Sequence, residues 1–390
     1  MNKNLNGKPS ILIIGAGLGG LALAQGLVKA GFNVSVFERD QSPTSRAQGY
    51  RISIRSMGLA ALSALLPSDR MAHLATAKIA DVGDGFTIAD ANMNPLVEIP
   101  MGQDAAVQFL RSELRGVLQE GVNIEWNKQL VMLEEKDNQV TVHFADGSQA
   151  KGDFVVGCDG AGSTIRELLP SSYTVPKVIA TSQAVLGGQI DRTPEWEELL
   201  PLNQSGLVRF LGPNVHYMGV CFYERADRSP TVFWGVKEDI KDPDATWYQI
   251  DQGLEDRKHL LEHCKQLINN QTWHENLCKL VHETQPEAMM APWLLRTTRF
   301  SDSNQHPMVP SGRITLLGDS AHTMPPDAGL GGNNVLEDAR LLSSLLASSP
   351  IPVDWPKLTA EFETQMFARA KQAIEETENI AKRFDGLRVG

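Results

Sequence analysis

The stretch ILIIGAGLGGLALAQGLVKAGFNVSVFE, residues 11–38, decides the fold. It opens on Ile11-Leu12-Ile13-Ile14, an all-apolar run with the composition of a strand buried on both faces. Gly15, Gly17 and Gly20 follow in the pattern G-x-G-x-x-G. Between a strand and a helix, the first glycine makes a tight turn and the second lets the backbone approach a pyrophosphate. The third lets helix and strand pack closely. Leu21, Leu23, Leu27 and Val28 form a helical stripe that stops at Gly31. Asn33 to Glu38 alternates as a second strand and ends on a carboxylate, which accepts hydrogen bonds from the ribose hydroxyls of an adenosine. The spacing predicts a β-α-β dinucleotide-binding unit and does not separate NAD from FAD.

The same stretch has a competing reading. Ile11 to Val28 holds a single strongly polar residue, Gln25, and follows Lys3 and Lys8, as a secretory signal would. Glycines at 15, 17, 19, 20 and 26 instead cluster at loop spacing, so the expectation is no cleavage, no membrane span and a cytoplasmic protein.

At 390 residues the chain exceeds one compact core, and 42% apolar with 21% charged residues is ordinary globular composition. A formal net charge of −11 argues against nucleic acid or an anionic membrane as partner. Cys158, Cys221, Cys264 and Cys278 are far apart without C-x-x-C spacing, which reads as reduced core thiols. No cluster has metal-ligand spacing, and neither G-x-S-x-G nor W-x-W-x-I-P occurs.

Further along, Phe109 to Leu118 reads as a helix. Val140 to Phe144, the Asp146-Gly147 turn and Phe154 to Val156 read as a strand pair leading into a buried strand. Residues 175–300 carry short strands, His216 to Phe222 and Thr231 to Val236 among them, and suggest an antiparallel sheet. Arg313 to Leu317 is again a buried strand. Asp354 to Phe384 reads as one long helix, capped by Asp354, with Leu358, Phe362, Met366, Ala370 and Ile374 on one face.

Two later motifs narrow the choice of dinucleotide. Asp159-Gly160 sits in VVGCDGAGSTIR, residues 155–166, and Gly318-Asp319 in LLGDSAHTMPPDAGLGGNN, residues 316–334. Each follows a buried strand, which places a carboxylate at a sheet's carboxyl edge, where ligands bind. Gly329, Gly331 and Gly332 then allow close backbone approach before a helix beginning near Asn333. That helix start suits negative charge. His322, beside Asp319, reads as a backbone-anchoring or packing residue rather than an acid–base group.

With these three motifs in this order, the chain resembles the single-component, class A flavin-dependent monooxygenases of the p-hydroxybenzoate hydroxylase fold. FERDQSPTSRAQGYRISI and GDSAHTMPP are most similar to the tetracycline-inactivating members. The resemblance implies an α/β fold with a Rossmann-like FAD-binding domain of the glutathione-reductase-like GR2 type. It also implies an interleaved, mainly antiparallel substrate domain and a long C-terminal helix. The expected division is 1–80, 100–175 and 295–348 for FAD, 81–99 and 176–294 for substrate, and 349–390 for the helix.

For FAD the resemblance implies Gly15, Gly17, Gly20, Glu38, Arg39, Arg111, Asp159 and Asp319, with Ser53 and the run Gly329, Leu330, Gly331 and Gly332. Arg46 matches a position that meets NADPH, and Gly187, His216, Tyr217 and Pro325 are the substrate candidates. Ser53 stands where those relatives carry an aspartate, and Leu330 where they carry glutamine, which argues against tetracycline as substrate. The implied reaction begins with NADPH or NADH reducing FAD. O₂ then adds at C4a, and the hydroperoxide transfers OH to a small aromatic, phenolic or enolic compound, polyketide- or antibiotic-like molecules included. The catalytic side chain is unknown. The implied assembly is a monomer or weak dimer. The alternatives are an FAD oxidase or dehydrogenase without oxygen insertion, and a nucleotide-binding scaffold sharing only the first motif.

Overall fold

The structure is a computed structural model that describes residues 7–45, 51–82, 85–100, 106–200, 207–224, 229–240, 253–300 and 308–387. It divides into two compact units. The first comprises Met1–Lys78, Arg111–Ile179 and Arg296–Thr377, and the second Ile79–Leu110, Ala180–Leu295 and Glu378–Gly390.

The first unit is built on five parallel strands. Their spatial order is Ile314–Leu316, Phe154–Gly157, Ser10–Ile14, Asn33–Phe37 and Ile124–Glu125. The apolar runs read from the sequence are its centre: Ile11, Ile13, Phe154, Val155 and Val156 are fully buried. Parallel strands are covered on both faces, which is why these runs are continuous rather than alternating. The helices Leu18–Lys29 and Gly331–Ser348 pack against each other, and an antiparallel meander of Leu130–Lys136, Gln139–Phe144 and Gln149–Gly152 is appended.

The last helix runs from Trp355 to Leu387, and both units draw on it. Asp354 caps it, its carboxylate accepting the Lys357 N–H at 3.2 Å. The expected apolar face is buried: Leu358, Phe362, Met366, Ala370 and Ile374 are each at most 5% exposed. One expectation needs correction. Phe109 and Leu110 end a strand, Ala106–Leu110, and the helix starts only at Arg111 and runs to Gln119. Leu110 and Leu114 are spaced for a helix, but sheet pairing beside Lys78–Val82 claims the first of them.

The second unit carries a seven-stranded sheet in the order Trp293–Arg299, Lys177–Asp191, Pro230–Asp239, Tyr217–Glu224, Leu207–Leu211, Gly85–Asp90 and Pro95–Pro100. Its central pairs are antiparallel, whereas Leu207–Leu211 runs parallel to Gly85–Asp90. Leu186, Trp234, Val236, Met218 and Val220 point to one face. There they form a core with Leu260, Leu261, Leu277 and Val281 from the helices Leu254–Leu267 and Glu275–Glu283. All four cysteines are free thiols, and no described helix is long and apolar enough to cross a membrane.

Candidate functional site

Strand register decides where the motifs meet. Ile14 is level with Gly157 on one side and Phe37 on the other, and Gly157 is level with Leu316. The glycine loop, Glu38, the Asp159 segment and the Gly318-Asp319 segment therefore leave the carboxyl edge of four adjacent parallel strands side by side, where open α/β sheets bind ligands. Arg166 ties two of these segments together, its Nη1 donating to the Ser320 carbonyl at 2.8 Å and its Nη2 to the Ala161 carbonyl.

A cavity of about 230 Å³ opens at this edge, lined by Gly15, Gly17, Glu38, Arg39, Arg111, Asp159 and neighbours including Arg115, Lys128 and Cys158. Whole-ligand pockets run to roughly 300–1,000 Å³, so this one accounts for part of a dinucleotide. Gly15 adopts φ +109°, and a Cβ there would lie 2.3 Å from the Cys158 carbonyl oxygen. A Cβ on Gly20 would lie 2.1 Å from the Gly15 carbonyl oxygen, whereas one on Gly17 would meet nothing within 4 Å. Gly15 thus takes a positive-φ turn, Gly20 sits where only close packing without a Cβ is possible, and Gly17 faces open space.

Glu38 is 6% exposed, and its Oε2 accepts the Ala16 N–H at 2.7 Å. Asp159 Oδ2 accepts the Ile165 N–H at 3.2 Å, but its Oδ1 is buried without a partner. Burial pushes the Asp159 carboxyl above the usual range against hydrogen bonds from Ser163 and the following backbone. A carboxylate oxygen left without a donor at this edge fits a ligand hydroxyl, and the open space at Gly17 lets the backbone meet a phosphate. Burial, with the charges of Asp159 and Asp338, holds the Cys158 thiol well above its usual range.

Asp319 begins the short helix Asp319–His322; the residue is exposed as a whole, while the protein around its carboxyl strips away part of its water. Desolvation raises its carboxyl, while the charges of His322 and Arg111 oppose the rise. Arg111 links it electrostatically to the cavity. His322 is 1% exposed, and its Nε2 lies 2.6 Å from Oδ2 of the fully buried Asp338. The same oxygen accepts the Gly318 N–H at 3.1 Å, and Oδ1 takes Arg369. Burial pulls His322 down, but Asp338 and then Asp319 more than reverse this, leaving it above the ordinary histidine range.

The glycine run is organised by Asn333. Its Nδ2 donates to the Ser53 and Gly329 carbonyls, each at 3.1 Å, and its Oδ1 accepts the Arg55 N–H at 2.7 Å. Ser53 therefore lies beside Gly329, Leu330, Gly331 and Gly332, where the helix Gly331–Ser348 begins. Gly329 takes the left-handed conformation at φ +65°, and Pro325 is half-buried just before it. Arg46 lies outside the described residues.

In the second unit, Gly187 is level with Gly235, which is level with Gly219, so three glycines form a row across adjacent strands. Tyr217 packs edge-on against Phe384, with Arg209 over its ring at 4.8 Å. His216 is an anchor: Nδ1 is 3.0 Å from Asp385 and Nε2 2.9 Å from Asp239, which ties the last helix to the sheet. Reading the sequence missed Arg115, Asp338, Asn333 and Arg369. Arg115 left the one available signal, as a second arginine one helical turn after Arg111.

Comparison with known proteins agrees with this geometry. The FAD binding domain family matches residues 8–282 and 261–377. The chain belongs to that family. An FAD-dependent monooxygenase of Trichoderma harzianum, thnD, is 29% identical, with 86% of this chain and 82% of the relative aligned. The 6-hydroxynicotinate 3-monooxygenase of Bordetella bronchiseptica is 28% identical over 87% of this chain and 83% of its own. A structure of an FAD-containing monooxygenase from Photorhabdus luminescens superposes with a TM-score of 0.79 at 26% identity, covering 96% of this chain and 98% of that one. The resemblance to class A monooxygenases holds, and this chain is an FAD-dependent monooxygenase of that fold.

Asp319→Ala is expected to weaken FAD binding about 10- to 150-fold, the worth of a charge-assisted hydrogen bond to a hydroxyl. Flavin-fluorescence titration checks this; unchanged affinity in a folded variant removes Asp319 from the site.

Proposed function

We propose that this monooxygenase takes electrons from NADPH or NADH and places one atom of O₂ on a small aromatic, phenolic or enolic compound. The first unit holds FAD. Gly15, Gly17, Gly20 and Glu38 receive its ADP half, with Arg39 at the rim, and Arg111, Asp159 and Asp319 bind toward the ribityl chain. Ser53, Gly329, Leu330, Gly331 and Gly332 offer backbone to the ring end, where the start of the helix Gly331–Ser348 favours negative charge. Bound FAD supplies the redox chemistry, accepting two electrons and activating O₂. The observation that carries this reading is the convergence of all three motifs on four level strands, with Asp159 Oδ1 unpartnered among them.

The protein's own part is to position the substrate and exclude water. Within the second unit's sheet we assign substrate contacts to Gly187 and Tyr217. His216, committed to two carboxylates, positions the sheet instead. Aromatic ring chemistry is supported by the relative named for 6-hydroxynicotinate. We further propose that Arg46 meets the reductant.

The test is to screen phenols, hydroxypyridines and enols for faster NADPH or NADH oxidation, then run turnover of the hits under ¹⁸O₂. One labelled oxygen per product molecule is expected. Unlabelled product with stoichiometric peroxide would mean an oxidase.

A further inference from the structure

Two consecutive peptides of the glycine loop are held from opposite sides by opposite charges. Glu38 Oε2 accepts the Ala16 N–H at 2.7 Å. Arg115 Nε donates to the Ala16 carbonyl at 2.8 Å, and its Nη1 to the Pro43 carbonyl at 3.0 Å. Arg115 is 3% exposed, lies over the Trp126 ring at 5.5 Å from its centroid, and lines the same cavity as Gly17. A guanidinium buried against an aromatic face has little freedom to turn, so its direction is fixed by packing before any ligand arrives.

The consequence lies in the geometry of one peptide. The Ala16 carbonyl and the Gly17 N–H belong to a single planar trans unit and point in opposite directions. With the carbonyl turned to Arg115, the Gly17 N–H is turned away from it. That N–H has no protein acceptor among the described residues, and Gly17 stands at the N-cap of the helix Leu18–Lys29. Donation to the carbonyl also polarises the peptide and makes its N–H a stronger donor.

We propose that Arg115 is a positioning residue for the diphosphate of FAD, acting through the Ala16–Gly17 peptide rather than by touching the phosphates itself. This rests on the cavity being the ADP end of the FAD site. Arg115 holds the Ala16 carbonyl through Nε and the Pro43 carbonyl through Nη1, so what it does for the loop is aim a backbone donor at an anion. The same carbonyl would be left buried and unpaired without it.

The test is competition on the full-length chain: FAD titrated by fluorescence and displaced by ADP or by adenosine, for wild type, Arg115→Met and Arg115→Lys. Arg115→Met is expected to weaken FAD and ADP about 10- to 100-fold, with adenosine changed less than about threefold. Lysine can donate to one carbonyl but cannot reproduce the fork, so Arg115→Lys should recover part of the loss. A structural role alone would weaken all three ligands in proportion. That outcome overturns the proposal, as does unchanged FAD and ADP affinity in a folded variant. If Arg115→Met does not fold, the ADP-to-adenosine ratio of Arg115→Lys decides by the same criterion. A wild-type chain that binds no FAD contradicts the underlying site reading instead, and takes this proposal with it.

Discussion

Gly15→Ala is expected to yield a folded protein that purifies without its flavin. The residue sits at φ +109°, where a side chain costs on the order of 1–3 kcal/mol. The new Cβ would also stand 2.3 Å from the Cys158 carbonyl oxygen, a backbone atom of the adjoining strand's loop that cannot swing aside. Relief requires the loop to move, and overpacking of this kind costs roughly another 1–3 kcal/mol. Moving it breaks the alignment of Gly15, Ala16 and Gly17 with the cavity. FAD affinity should fall about 30-fold or more, taking the two costs together. Flavin absorbance of the purified variant, with circular dichroism to show that the sheet persists, measures it. A yellow variant with wild-type affinity would mean that the loop adapts and that Gly15 is not needed there.

Asp338→Asn is expected to produce the largest loss of stability. Asp338 is fully buried and faces His322, the Gly318 N–H and Arg369. Removing its charge leaves two cationic side chains without their buried counter-ion, which costs about 3–5 kcal/mol. In a domain of this size that is roughly 6–20 °C in the apparent Tm. His322 gives the pH signature. Its pKa is raised on folding, so its contribution is fully present below the ordinary histidine range and is lost as pH rises through its own higher value. Wild type should therefore lose stability with rising pH in that window, and the gap to Asp338→Asn should narrow there. Equal Tm values for the two proteins would show that the network contributes nothing.

Local signals in the sequence were sufficient for the sheet and for the order of its motifs. An all-apolar run, glycines at fixed offsets and a carboxylate at a strand end all lie within thirty residues, and their periodicity survives folding. The same holds for the last helix, where Asp354 and the stripe from Leu358 to Ile374 read directly. What escaped is long-range. Arg115 meets Ala16 across 99 positions, and Asn333 meets Arg55 across 278, and no spacing encodes either pair. His216 is a further long-range case: one of its partners, Asp385, arrives 169 residues later on the last helix. Phe109 and Leu110 fit a helical stripe and are strand residues because pairing with a neighbouring strand outweighs local period.

FAD is the group assigned to the carboxyl edge of the first unit's sheet. Chromatography of the flavin released by denaturing the purified full-length chain tests this most directly. One FAD per chain is the predicted result, since Glu38 and the glycine loop suit an adenosine-containing dinucleotide. Release of FMN alone, or a chain that takes up no flavin when FAD is supplied, would contradict it.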